Sequence, residues 1–419
     1  RAGEYDVLFL GDSIMNTGVF PMEMWEKYGI AGYNIASYGN TLPITYWALQ
    51  NALDYAKPKL VVLDVQGVSY KLSGNSSDVH TAFDCYSISK TKIEALDDLM
   101  DDPNAVDDDG VAYVDMKWEY LFTLGKYHAR WSELTDTDFH PVYNREKGAK
   151  SVIAVADVGD YDLIDEDMAT EESGQTGFVY LRKIIEDCQA RGIDVLLVHL
   201  PYPANEQQQM DANAVAYIAE DYGLNYIDFV SMDQVADYVT DCFDAHEHLN
   251  PSGARKVSDY LGRYITEHYD VDDHRGDAAY TAWADDAAAY REKKLADFEN
   301  QSELASALML LHDDDFACTV TIGAGNALFE NEKLMTLMQN IAREHVFEED
   351  LFAKWSNSLF PLEALDEAAQ SGQSYAAGIN RAAGEITETV GADVPEGVHI
   401  TLSDPISGET LCEKEFFSL

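Results

Sequence analysis

Two short stretches carry the residue types that acyl-transfer chemistry needs. Gly11-Asp12-Ser13-Ile14-Met15 stands where an apolar run, Tyr5 to Leu10, ends. A hydroxyl at the carboxyl end of a buried parallel strand lies where α/β sheets bind their ligands. Gly11 lets the chain turn sharply, and the N–H groups that open the next segment can face a developing oxyanion. Gly-Asp-Ser is also ordinary turn chemistry, so the motif by itself is weak. The second stretch, FDAHEHLNPSGARK from Phe243 to Lys256, puts His248 just before a helix that Asn250 caps and Pro251 begins. A serine nucleophile needs such a base, itself oriented by a carboxylate. Taken together, the two stretches make Ser13 a candidate nucleophile and His248 its candidate base.

Both side chains need a scaffold to position them. Residues 5–10 predict a buried strand, Asn34 to Ser37 a second short one, and Leu60 to Val65 a third. Between the last two, Pro43 opens a helix that runs to about Ala56. Regular pattern returns with a helix through Leu181, Ile184, Ile185 and Cys188, then a strand from Ile193 to Leu200. A helix around Val215 and Ile218 leads to a strand at Asn225 to Phe229, which completes a βαβ unit. The helix after Asn250 carries Val257, Tyr260, Leu261, Tyr264 and Ile265 on one stripe. Strands alternating with helices predict the α/β class, with a parallel sheet. The less regular stretch at about 67–174 is expected to be an insertion over one face.

Polar, unpatterned Tyr269 to Asp277 marks the expected boundary between a domain at 1–270 and a smaller α+β domain at 276–419. The second domain is expected to hold an alanine-rich helix, a strand at Phe316 to Ile322, a helix at Leu334 to Ile341 and a terminal hairpin. The full chain's length of 419 residues fits two cores.

Composition narrows the partners. The net charge of −48, from 76 acidic against 28 basic residues, repels nucleic acid and anionic lipid. The acidic runs Asp107-Asp108-Asp109 and Asp313-Asp314-Asp315 lack the spacing of a calcium loop, so no metal is expected. Five scattered cysteines without a Cys-x-x-Cys pair argue against structural zinc, while Cys318 and Cys412, both in strand-like runs, are open to pairing. No apolar run reaches the ~18 residues of a membrane helix, so the chain as it stands is expected to be soluble.

With those residues on view, the chain resembles the SGNH/GDSL hydrolase superfamily over roughly residues 5–268. The resemblance implies a flavodoxin-like three-layer fold, with Ser13 as nucleophile and His248 as base. It carries the oxyanion-hole glycine onto Gly39 in SYGN, whose N–H would join that of Ser13. The run HLNPSGA matches the sequence that follows the family's histidine. Two departures stand out. Ala245 occupies the position of the orienting acid, three residues before His248, which leaves Asp244 as the choice and Glu247 and Asp241 as alternatives. Gln66-Gly67-Val68 replaces the family's Gly-x-Asn, so the missing amide donor falls to Asn40 or Gln66.

The variant pattern is most similar to SGNH proteins of bacterial cell envelopes that work beside membrane-bound O-acyltransferases. That similarity implies an ester hydrolase or acyl transferase acting on O-acyl groups, acetyl foremost, of carbohydrate polymers, without a cofactor. Asp12, Gln66, His80, His128 and Arg130 are then candidates to line the substrate site. The implied location is extracellular or the cell envelope, with room for an anchoring segment ahead of Arg1. The alternative is an inactive member of the fold that binds carbohydrate or serves as a scaffold. His199, inside a strand, is expected to be a satisfied core residue.

Overall fold

Near-continuous apolar runs, rather than alternation, mark strands covered on both faces. In the computed structural model, which describes residues 5–69, 76–100, 113–122, 132–136, 143–156, 168–170, 175–232, 235–244, 248–323, 331–341, 362–380, 385–391 and 396–417, such runs build a parallel sheet. Its strands are Val7–Leu10 (β1), Gly32–Asn34 (β2), Leu60–Asp64 (β3), Asp194–His199 (β4) and Asn225–Asp228 (β5). All neighbours pair in parallel, in the order β2-β1-β3-β4-β5. This is the flavodoxin-like strand order, in which the direction of winding reverses between β1 and β3.

On one face Leu8, Leu10, Val61, Leu63, Val195 and Leu197 pack with apolar residues of the helices Leu42–Leu53, Thr176–Ala190 and Glu206–Tyr222. The alternate residues Val7, Phe9, Val62, Leu196 and Val198 are 0 % exposed, so the second face is covered as well. At roughly 25 cal/mol per Å² of apolar surface, this double burial is the main force holding the sheet.

The second strand does not fall at Asn34 to Ser37. β2 ends at Asn34, whose Oδ1 accepts the N–H of Ala36 at 3.1 Å and turns the chain out of the sheet. The stretch expected to be an irregular insertion contains the helices Ser76–Phe83, Lys90–Leu99 and Tyr113–Leu121. Val79, Phe83, Leu96, Leu99 and Tyr120 form their shared core with Ile44.

The chain divides into two compact units: Arg1–Lys150 with Asp162–Asp233 and Leu261–Ala284, and Ser151–Tyr161 with Gln234–Tyr260 and Asp285–Leu419. A single cut at 269–277 does not describe this division. The start of the helix Pro251–His268 is tied by buried polar side chains to Asp241 and His312 of the second unit.

The second unit holds a five-stranded antiparallel sheet of Ala317–Ile322 (β6), Tyr375–Asn380 (β7), Glu385–Val390 (β8), Val398–Ser403 (β9) and Thr410–Phe416 (β10), ordered β10-β9-β6-β7-β8. β6, β7 and β9 alternate buried and less buried residues, as one-sided strands do. Strands β7 and β8 were not expected from the sequence. Cys318 and Cys412 do not pair: both are free thiols, and each stands level with Leu402 of β9 from opposite sides. Two strand spacings, roughly 9–10 Å, exceed the reach of a disulfide.

Candidate active site

Ser13 opens a short helix, Ser13–Gly18, with two residues between it and the end of β1. Asp12 caps it, its Oδ1 accepting the N–H of Ile14 at 2.9 Å. Gly11 has φ +156° and no space for a side chain, because a Cβ there would lie 2.9 Å from the Cβ atoms of both Asp64 and Met15. The turn is therefore packed hard between the end of β3 and its own helix.

Two buried asparagines that sequence reasoning missed fasten this helix. Asn34 Nδ2 donates to the carbonyls of Met15 (2.8 Å) and Val19 (3.1 Å). Asn16 Nδ2 donates to the carbonyls of Ala36 (3.2 Å) and Gly148 (2.9 Å). An asparagine at the end of a strand and another one turn after the candidate serine were the available signals.

Gly39 sits at φ +70°, the left-handed region, in the loop after β2. Next to it, Asn40 reaches back to the Gly11–Ser13 turn: its Nδ2 donates to the Gly11 carbonyl at 3.3 Å. Its Oδ1 and the Oε1 of Gln66 are buried and accept from no described residue. Val68 is 3 % exposed and belongs to the apolar core beside Leu42. Asn40 and Gln66 thus remain the amides near this end of the sheet, Asn40 in contact with the turn itself.

His248 lies in the second unit, on a tight antiparallel return. Cys242 and Leu249 form an isolated bridge, the Phe243 N–H donates to the His248 carbonyl (3.0 Å), and the Asn250 N–H donates to the Asp241 carbonyl (2.8 Å). Asp244 accepts twice from His248, at the backbone N–H (3.1 Å) and at Nδ1 (2.6 Å). The Phe243 ring stacks on the imidazole, with centroids 5.3 Å apart and planes 16° from parallel. An Nδ1–H held by a carboxylate fixes the tautomer and makes Nε2 the basic nitrogen.

Asp241 does not serve as the orienting acid. It is 0 % exposed, and its oxygens accept from Lys256 Nζ (2.6 Å), Ser252 Oγ (2.7 Å) and the Asp237 N–H (2.8 Å). Glu247 lies outside the described residues. Asn250 anchors the return from below. Its Oδ1 accepts from the N–H groups of Ser252 and Gly253, and its Nδ2 donates to the carbonyls of Thr240 (2.8 Å), Ala154 (3.2 Å) and Cys242 (3.3 Å).

The remaining candidates separate clearly. His80, a candidate for the substrate site, is 4 % exposed, bonded through Nδ1 to Asp84 (2.8 Å) and stacked on Tyr120 at 4.0 Å. It is a packing residue of the helical stretch. His128 and Arg130 lie outside the described residues. His199 is bonded to Asp228 (2.9 Å) and the Tyr202 hydroxyl (3.3 Å), a satisfied core histidine. Burial opposes ionisation of Asp228, but the bond and charge of His199, with bonds from Gln209 and Ser231, hold its carboxyl below the usual range.

Asp6, Asp272 and His274 bring metal-ligand atoms together, yet Lys59 Nζ stands 2.6 Å from Asp272 and 3.7 Å from Asp6. That ammonium supplies the cation. Among the described residues no helix is long and apolar enough to cross a membrane.

No family model matches the chain, and no curated protein matches it. Among solved structures, it is similar to a "putative acylhydrolase" from Bacteroides fragilis, at 11% identity and a TM-score of 0.31, over 64% of this chain and 90% of that one. A likeness at that level bears on neither mechanism nor substrate.

Proposed function

We propose that this protein is a serine-dependent ester hydrolase or acyl-transfer enzyme, with Ser13 as nucleophile and His248, oriented by Asp244, as its base. The observation that carries the reading is the Asp244–His248 pair, with Nδ1 held at 2.6 Å in a return that Asn250 braces. A surface histidine that merely helped to start a helix would have no need of a fixed tautomer. The Asp12-capped turn that presents Ser13 supports the same reading.

In the proposed reaction His248 Nε2 takes the hydroxyl proton while Ser13 Oγ adds to the ester carbonyl. The N–H groups of Ser13 and Gly39, with the Asn40 amide, stabilise the tetrahedral oxyanion. Its collapse expels the alcohol, which takes the proton from His248, and leaves acyl-Ser13. Water or a sugar hydroxyl then attacks the acyl group, with His248 again as base. On the resemblance described above, the substrate is an O-acetyl or similar acyl group on an envelope or extracellular polysaccharide, and the partner a membrane-bound O-acyltransferase. Asp12 and Gln66 are proposed to flank the acyl site.

A fluorophosphonate probe tests the proposal. Expected is a mass shift on the Ser13 peptide that disappears in Ser13→Ala and falls at least about 10³-fold in rate in His248→Gln. A folded wild type that stays unlabelled at pH 8 overturns the catalytic reading in favour of a binding protein built on the same fold.

A further inference from the structure

Asp64, the last residue of β3, has no part in the chemistry proposed above, yet it touches the turn that carries Ser13. Leu10 pairs with Leu63 across β1 and β3, so Gly11 comes level with Asp64, and the space where a Gly11 side chain would begin is filled by the Asp64 Cβ at 2.9 Å. Asp64 is 1 % exposed and Asp12, its neighbour on that turn, 3 %. Two carboxyl groups thus share one dry corner.

Their hydrogen bonding differs. Asp12 acts as an acceptor, capping the helix through Ile14 N–H. Asp64 Oδ1 accepts the Leu200 N–H at 3.2 Å, while its Oδ2 is buried and meets no donor among the described residues. The buried oxygens of Asn40 and Gln66 likewise meet none. Asn40 is bonded to the Gly11 carbonyl, and the Gln66 N–H turns toward the Asp64 carboxyl. The N–H groups of Leu200, Gln66 and Val65 turn toward the carboxyl and favour its charged form, but burial beside Asp12 outweighs them and Oδ2 is left without a donor among the described residues.

The charged groups around it offer no compensation. Asp12 comes from the turn after β1. His199 on β4 is engaged by Asp228 and Tyr202, and Tyr226 on β5 has its own hydroxyl pushed up by burial, Asp228 and Asp64. No cation pairs with Asp64 among the described residues. Burial, with the charge of Asp12 added, pushes the Asp64 carboxyl well above the usual carboxylate range.

We propose that Asp64 is a positioning residue of the nucleophile turn and acts as the uncharged carboxylic acid. The catalytic half of this proposal rests on the serine-hydrolase reading; the protonation state does not. A neutral acid props the Gly11 turn without placing a second negative charge beside the forming oxyanion. The pH dependence follows in sign. A carboxyl with a raised folded-state pKa stabilises the fold fully below the unfolded value of about 3.9, and that stabilisation is lost as pH rises toward the folded value. Asp64→Asn, neutral at every pH, lacks this slope.

The test uses the full chain with ¹³Cγ-labelled aspartate, the Asp64 signal being the one absent from Asp64→Asn. Expected is a protonated carboxyl signal at pH 6–7, together with Ser13 labelling by fluorophosphonate that Asp64→Asn keeps within about 3-fold and that folded Asp64→Ala slows about 10-fold or more, the worth of one buried hydrogen bond. An Asp64 signal that titrates in the ordinary carboxylate range, or an Asn variant as slow as the Ala variant, overturns the proposal. If wild type itself does not label, the serine-hydrolase reading and the positioning role fall together, while the carbon signal still decides the protonation state.

Discussion

The turn at Gly11–Ser13 and the return at Asp241–Asn250 each hold one side chain still, but by different physical means. On the serine side the constraint is shape. Gly11 is wedged between Asp64 and Met15, and the helix behind it is pinned by neutral amides of Asn16 and Asn34. On the histidine side the constraint is charge: a buried Asp241–Lys256 pair at the base of the return, and Asp244 on the imidazole at its tip. A constraint of shape is indifferent to salt but tolerates no added volume. One of charge accepts small changes of volume and fails when a partner is removed.

The largest effect that would sharpen this comparison is at the tip. Asp244→Asn is expected to lower the rate of acyl transfer by about 10²–10⁴, because the amide no longer selects the productive tautomer. Asp244 is 40 % exposed, so thermal stability should change little. A large fall in Tm would show that Asp244 is structural instead.

Next comes the base of the return. Asp241→Ala leaves the Lys256 ammonium, 1 % exposed, without its partner and is expected to cost about 3–5 kcal/mol in urea unfolding. Loss of less than about 1 kcal/mol would break the claim that charge holds this region.

Gly11→Ala should cost less stability than Asp241→Ala, about 1–3 kcal/mol from overpacking, and the same loss in low and high salt. A salt-dependent loss there would erase the contrast between the two sides.

Much of the scaffold was legible because continuous apolar runs announce doubly covered strands, as VLFL and LVVLD do. The N-terminus of the Pro251 helix was legible for a local reason too, since Asn and Pro act within one turn. β7 and β8 were not. Ala376, Ala377 and Gly378 are poor strand formers, and their pairing depends on a partner strand distant in sequence. Likewise spacing made Asp244 the choice but left Glu247 and Asp241 open as alternatives, because distance along a loop does not say which oxygen faces an imidazole.

What the sequence determined by itself was therefore local: the strand cores, the caps and the glycine turn. Burial periodicity and cap chemistry act over a few residues, so they can be read from a few residues. Only the tertiary structure decided that Asp244 orients His248, that Asp241 is spent on Lys256 and Ser252, and that Asp64 is closed in beside Asp12. Those outcomes depend on which groups are desolvated together, and desolvation belongs to the packed chain as a whole.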